Sequence, residues 1–124
     1  MDLIDTHQHL ILRGKLGYAW TRGEPSLAGS FTRADYAALV EGSGVVGTIF
    51  METGVDDGDY RAEARLVAGM VGEGPLPMFG QIASCRPETD QGFDAWLEEC
   101  RHLKVVGFRR ILQVMPDDTS RAEN

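Results

Sequence analysis

Apolar positions along this chain alternate between two rhythms, short continuous runs and stripes at helical spacing. Residues 3–9 begin with Leu3 and Ile4 and end in Asp5-Thr6-His7-Gln8-His9, a strand in which positions 5, 7 and 9 share one face under period two. Residues 45–51, Val-Val-Gly-Thr-Ile-Phe-Met, form an unbroken apolar run of the kind found in strands buried on both faces, and end in Glu52. Residues 78–83 and 105–112 supply a third and a fourth strand. Between them lie helical patterns. Thr32 is a good N-cap with Asp35 three residues on, followed by Tyr36, Leu39 and Val40 and then by Gly42 and Gly44 as a stop. A second helix is predicted over 60–72, with Leu66, Val67, Met70 and Val71 on its buried side and Asp56, Asp57 and Asp59 before its positive end. The third, over 91–103, is the cleanest: Phe93, Trp96, Leu97, Cys100 and Leu103 recur on one face.

Strands separated by helices of this length imply a parallel sheet with crossover connections. An open doubly wound sheet and part of a (β/α)8 barrel both satisfy that pattern. No Gly-x-Gly-x-x-Gly turn follows the first strand, which removes the usual dinucleotide fingerprint. Polar residues instead gather at strand ends: His7, His9, Glu52, Gln81, Arg109 and Arg110. A barrel with its site on the C-terminal face requires that distribution. The expectation is therefore an α/β chain, the first half of a (β/α)8 TIM-type barrel, truncated after four parallel strands, with residues 1–124 as one unit and no linker. In an open sheet, by contrast, His7, Glu52 and Arg109 would not converge.

One connection stands out. Residues 10–31 carry Gly14, Gly17, Gly23, Pro25 and Gly29 but also Tyr18 and Trp20, and a loop this long holding two large rings reads as functional. The net charge of −7 repels phosphate backbones and anionic lipid, so nucleic-acid and membrane partners are not expected. The first strand begins too early for a secretory leader, no apolar run is long enough to span a bilayer, and Cys85 and Cys100 form no Cys-x-x-Cys pair. A reduced, cytoplasmic protein is the simplest expectation.

Two imidazoles leaving one strand end suit half of a divalent-metal site or a grip on a substrate oxygen, so His7 and His9 are the primary candidates. Asp5, deeper on the same face, reads as a support that orients an imidazole. Glu52 is either a ligand or substrate contact, or a loop acid. Arg109 and Arg110 must face opposite ways. With Val106, Phe108 and Leu112 taken as the face packed under helices, Arg109 points into the barrel mouth, where it clamps a carboxylate or pairs with Glu52. Tyr18 and Trp20 are candidate pocket walls, or else a small cluster that pins the loop.

Three segments carry a family resemblance: "LIDTHQHL" at the start, "TIFMETGVDDGDYRAEAR" after the second strand and "VVGFRRILQVMPDD" at the fourth. They resemble the amidohydrolase superfamily, and more narrowly the amidohydrolase-2 branch with its fuconolactonase-like and dicarboxylate lactonases. The resemblance runs along the chain but reaches only the first half of that family's barrel, which has about 250 residues or more. It implies a hydrolase acting on a sugar-acid or dicarboxylate lactone. His7 and His9 are then its His-x-His pair, binding a divalent metal, Zn²⁺ in the first instance, in a branch with metal-free members as well. Arg109 becomes the catalytic-site arginine, with Tyr18, Trp20 and Glu52 around the substrate. A further histidine and a water-activating aspartate, expected after later strands, have no counterpart in the sequence. The implied partners are a small lactone or carboxylate substrate and a second copy or complementing half. The alternative is a fragment without catalysis of its own.

Overall fold

A computed structural model describes residues 1–112. Four strands, β1 (Leu3–Gln8), β2 (Val45–Met51), β3 (Met78–Ser84) and β4 (Val105–Arg109), pair in parallel in the order β1-β2-β3-β4. The helices α1 (Arg33–Val40), α2 (Tyr60–Ala68) and α3 (Phe93–Cys100) fill the three connections. This is the βα succession of the first half of a (β/α)8 barrel. Among the described residues, no helix is long and apolar enough to cross a membrane.

Local chemistry explains where the elements begin and where they stop. At α1 the Thr32 hydroxyl accepts from the Asp35 N–H at 3.3 Å and the Asp35 carboxylate accepts from the Thr32 N–H at 2.9 Å, a complete capping box. The second and third helices are shorter than their apolar stripes. Met70, Val71 and Leu103 still pack on the core, but from turns beyond the helix ends. Lys104 closes the turn into β4 with φ of 61°.

The helices cover one face of the sheet through two apolar clusters. Leu10, Tyr36, Phe50, Val67 and Met78 join α1 and α2 to β2 and β3. Tyr60, Ala64, Trp96 and Cys100 pack with Ala83 and Cys85, and the Tyr60 and Trp96 rings meet edge to face at 5.8 Å. Gln81 belongs to this layer and not to a strand-end site. Buried in β3, its amide nitrogen donates to the carbonyls of Ala64 and Leu103 at 2.8 Å each, tying α2 and the end of the third connection to the sheet.

The opposite, inner face shows large side chains laid over glycines. A Cβ on Gly47 would sit 2.3 Å from the Phe79 ring, and one on Gly80 would sit 3.0 Å from Val106. Phe79 is 55% exposed and Val106 63% exposed, with Ile4 beside them half open. Here an expectation needs correcting. Of Val106, Phe108 and Leu112, Val106 turns to the inner face and Val105 joins the core in its place, while Phe108 keeps the helix side opposite Ala83 but stays exposed, as does Leu112. The register slips between Val105 and Gly107 opposite Gln81 and Ile82, which breaks period two along β4. Arg109 pairs with Ser84, one residue along from the Ala83–Phe108 pair, and so leaves the sheet on the inner side.

Candidate active site at the strand ends

His7 and His9 lie side by side where β1 ends, ring centroids 4.7 Å apart and planes 82° apart. Their shared face survives an irregularity in β1 between Asp5 and Gln8, but Asp5 does not share it. Instead Asp5 accepts from the Tyr36 hydroxyl at 2.6 Å and from the His7 backbone N–H at 2.9 Å. It anchors α1 to β1 and orients no imidazole. His7 is exposed; His9 is partly buried.

The state of His9 follows from its neighbours. Nδ1 lies 3.0 Å from the Met51 carbonyl and 3.4 Å from the Thr53 hydroxyl. A carbonyl only accepts, so Nδ1 carries the proton and Nε2 keeps its lone pair. Burial lowers the pKa against the pull of the Met51 carbonyl, and the charges of His7 and Arg109 lower it further. The result is a neutral imidazole that ligates a cation or accepts a proton. It has no free N–H to donate to a carbonyl.

Next to it, the turn after β2 is held at every residue. Glu52, 2% exposed, accepts from Arg109 Nε at 2.7 Å, while its backbone carbonyl accepts from Arg109 Nη2 at 2.6 Å. Its other carboxylate oxygen takes the Gly54 N–H at 2.9 Å. Thr53 donates its N–H to the buried Glu63 carboxyl of α2 at 3.1 Å, and its carbonyl accepts from the Trp20 indole at 3.0 Å. Burial pushes the Glu63 carboxyl up to about 8, with the Thr53 N–H opposing and the Glu52 charge adding to the rise. Glu63 is thus a neutral acid at pH 7.

A cavity of about 700 Å³ opens over these groups, with Ile11, Trp20, Leu27, Phe31 and Ile111 as apolar walls and His9, Thr53, Arg109 and the loop residues Ser26 and Ser30 as its polar lining. The loop over 10–31 forms one side. Ile11 and Phe31 close it with a pair of backbone hydrogen bonds at 2.9 and 2.8 Å, and Arg13 ties it internally to Thr21 at 2.6 Å and to the Leu27 carbonyl. Asp56 and Asp59 reach across from the second connection to accept from the Ala19 and Gly17 N–H groups at 2.7 and 2.8 Å. These acids hold the loop, a role beyond the helix-end placement their sequence position suggests.

Of the sequence candidates, His9, Trp20 and Arg109 border this cavity. His7 does not line it but packs against the His9 ring, and Glu52 is the partner of Arg109. Tyr18 is buried in the loop core with its hydroxyl accepting from the Leu12 N–H at 2.9 Å. Arg110 faces away and pairs with Glu88 at 2.6 Å. Sequence reasoning missed Thr53 and Glu63. The signal for Glu63 was available: an acid three residues after Tyr60 and four before Val67 stands on the buried stripe of its helix.

His7 and His9 are donors of the right type for Zn²⁺, but no group of three His, Cys, Asp or Glu residues that would hold a metal occurs among the described residues. The strand-end carboxylate of Glu52 is already taken by Arg109 and Gly54. The described residues therefore offer two donors of a suitable type and no complete metal-binding set.

A strand-end histidine and a strand-end arginine border one cavity on a parallel β/α sheet, at the end of the strands where barrels of this type carry their sites. The chain matches the amidohydrolase family model Amidohydro_2 over residues 4–124, and it belongs to that family, whose members generally use divalent metals. Among solved structures it is similar to amidohydrolase 2 from Bifidobacterium longum subsp. infantis, at 27% identity and a TM-score of 0.57. That likeness covers 69% of this chain and 33% of the other, so the chain spans about a third of the length of the amidohydrolase it matches. No curated protein matches it.

Proposed function

We propose that this chain carries the first half of a hydrolase active site that opens a sugar-acid or dicarboxylate lactone by water attack on the ester carbonyl. The observation that carries this reading is the meeting of a neutral His9 and a cationic Arg109 in one cavity. Arg109 has Nε and Nη2 fixed by Glu52, and no contact among the described residues takes Nη1, which is left for a substrate carboxylate. The Trp20, Phe31 and Ile111 walls suit the faces of a small ring, and Ser26, Ser30 and Thr53 offer polar contacts at its edge. Hydrolysis forms a bond from water oxygen to the carbonyl carbon and breaks the ring ester bond, the proton from water passing to a base and the leaving oxygen taking one up. His9 Nε2 accepts a proton or ligates a cation, whereas polarising the carbonyl by donation falls to His7. The aspartate base that the family resemblance implies lies outside the described residues. A Zn²⁺ ion held in part by His7 and His9 would supply an acidified water and a Lewis acid at the carbonyl.

The test is a pH-stat assay of aldonic-acid and cyclic dicarboxylate lactones, with and without added Zn²⁺. His9→Ala should lower kcat/KM by about a hundredfold or more, and Arg109→Lys should act chiefly through KM. Unchanged turnover in His9→Ala removes the histidine from the reaction.

A second reading rests on the open inner face: the chain lacks catalysis alone and pairs with a second copy or a complementing half. Phe79, Val106 and Ile4 form that exposed apolar surface, flanked by strands β1 and β4 at the sheet's two edges.

A further inference from the structure

We infer that Glu63, an acid of α2 that does not line the cavity, is a positioning residue that sets the cavity's aromatic wall through the backbone of Thr53. The inference rests on the proposed site, since it concerns how that site is shaped.

The physical chain is short. Glu63 is 2% exposed, and one of its oxygens accepts the Thr53 N–H at 3.1 Å. The same residue's carbonyl accepts the Trp20 indole N–H at 3.0 Å, and its hydroxyl stands 3.4 Å from His9 Nδ1. One residue therefore joins a core acid, a cavity wall and the imidazole. Trp20 itself is 49% exposed and sits on a loop, so its packing alone does not fix the ring. The indole hydrogen bond does, and it is only as firm as the Thr53 carbonyl. That carbonyl belongs to a turn whose flanking residues are pinned on one side by Glu52 to Gly54 N–H and Arg109, leaving the Thr53 N–H as the attachment to α2. Without an acceptor at 63 this buried N–H is orphaned, and the turn gains by rotating toward water. A carboxyl on a buried helix face is otherwise a costly choice, and an apolar residue of the same size would pack there.

Glu63→Gln keeps the acceptor and the volume; Glu63→Leu keeps the volume and loses the acceptor. Hydrogen exchange of ¹⁵N-labelled protein reads the Thr53 amide and the Trp20 indole directly, with the amides of β3 as an internal reference for global opening. In Glu63→Leu both protons should exchange at least about tenfold faster relative to that reference, and in Glu63→Gln they should stay within about twofold of wild type. In the lactone assay the Leu variant should raise KM by about tenfold with kcat changed less than about threefold, and Gln should restore it. Equal protection of Trp20 and Thr53 in the Leu variant and wild type overturns the inference. So does a Gln variant as labile as the Leu variant. If the Leu variant does not fold, Glu63→Asp, whose carboxyl falls short of Thr53 by one methylene, decides by the same exchange criteria. The exchange result stands whether or not any lactone is hydrolysed, so a failure of the enzymatic reading and a failure of this inference remain distinct.

Discussion

Thr53 uses each of its polar groups: N–H to Glu63, carbonyl from Trp20, hydroxyl toward His9 and the Met51 carbonyl. At this scale the sequence was informative where spacing alone makes geometry, as in His7 and His9. It was silent where a role depends on what a neighbour offers. The Arg109–Glu52 pair was one of the two readings the sequence left open for Arg109, but nothing in "METGVDD" says that Asp56 and Asp59 clamp a loop, because Gly17 and Ala19 come from another connection. Asp5 misled for a related reason, since an irregularity in β1 moved it toward Tyr36. Glu63 yields a prediction about pH. Its carboxyl titrates near 4.5 in the open chain and about 8 when folded, so the folded state holds the proton more tightly. Its contribution is complete below about 4.5 and is lost as pH rises toward 8, at up to about 1.4 kcal/mol per unit. Urea midpoints of wild type and Glu63→Gln across pH 5 to 9 should therefore diverge, with wild type losing ground to the variant as pH rises; parallel curves would contradict the raised pKa.

Elements were legible to the extent that local chemistry defines them. The Thr32–Asp35 box starts α1 as the sequence says, and β2 occupies residues 45–51 as its apolar run says. Helix ends were overestimated because Met70, Val71 and Leu103 keep apolar contacts from turns, so periodicity outlasts the helix. The slip in β4 has no sequence signature beyond Gly107, yet it decides which side chains face inward. The loop over 10–31 carries the sharpest test at this scale. A Cβ on Gly17 would fall 1.9 Å from Asp56 Oδ2, so Gly17→Ala must displace the acid that holds the Ala19 N–H. Thermal denaturation should show a loss of about 1–3 kcal/mol. Trp20 emission should shift with it, while Gly29→Ala, with nothing near its Cβ, should leave both unchanged.

At the scale of the whole molecule, the count of β/α units and the polar residues at strand ends were enough to identify a half-barrel. Closure was not legible, because the inner face of a barrel and the buried face of any sheet are written in the same apolar letters. That face, with Phe79 over Gly47 and Val106 over Gly80, is the surface on which association would occur. Light scattering during size exclusion should give a concentration-dependent mass for wild type and a lower one for Phe79→Lys. A monomer at all concentrations would rule out self-pairing. A different consequence follows from Asp56 and Asp59, which grip the loop from a separate β/α connection. The contour of the cavity is written in two places at once, so transplanting the glycine-rich segment alone onto a related scaffold would carry the tryptophan without its seat. Any swap meant to transfer ligand preference has to move the acidic turn together with the loop it restrains.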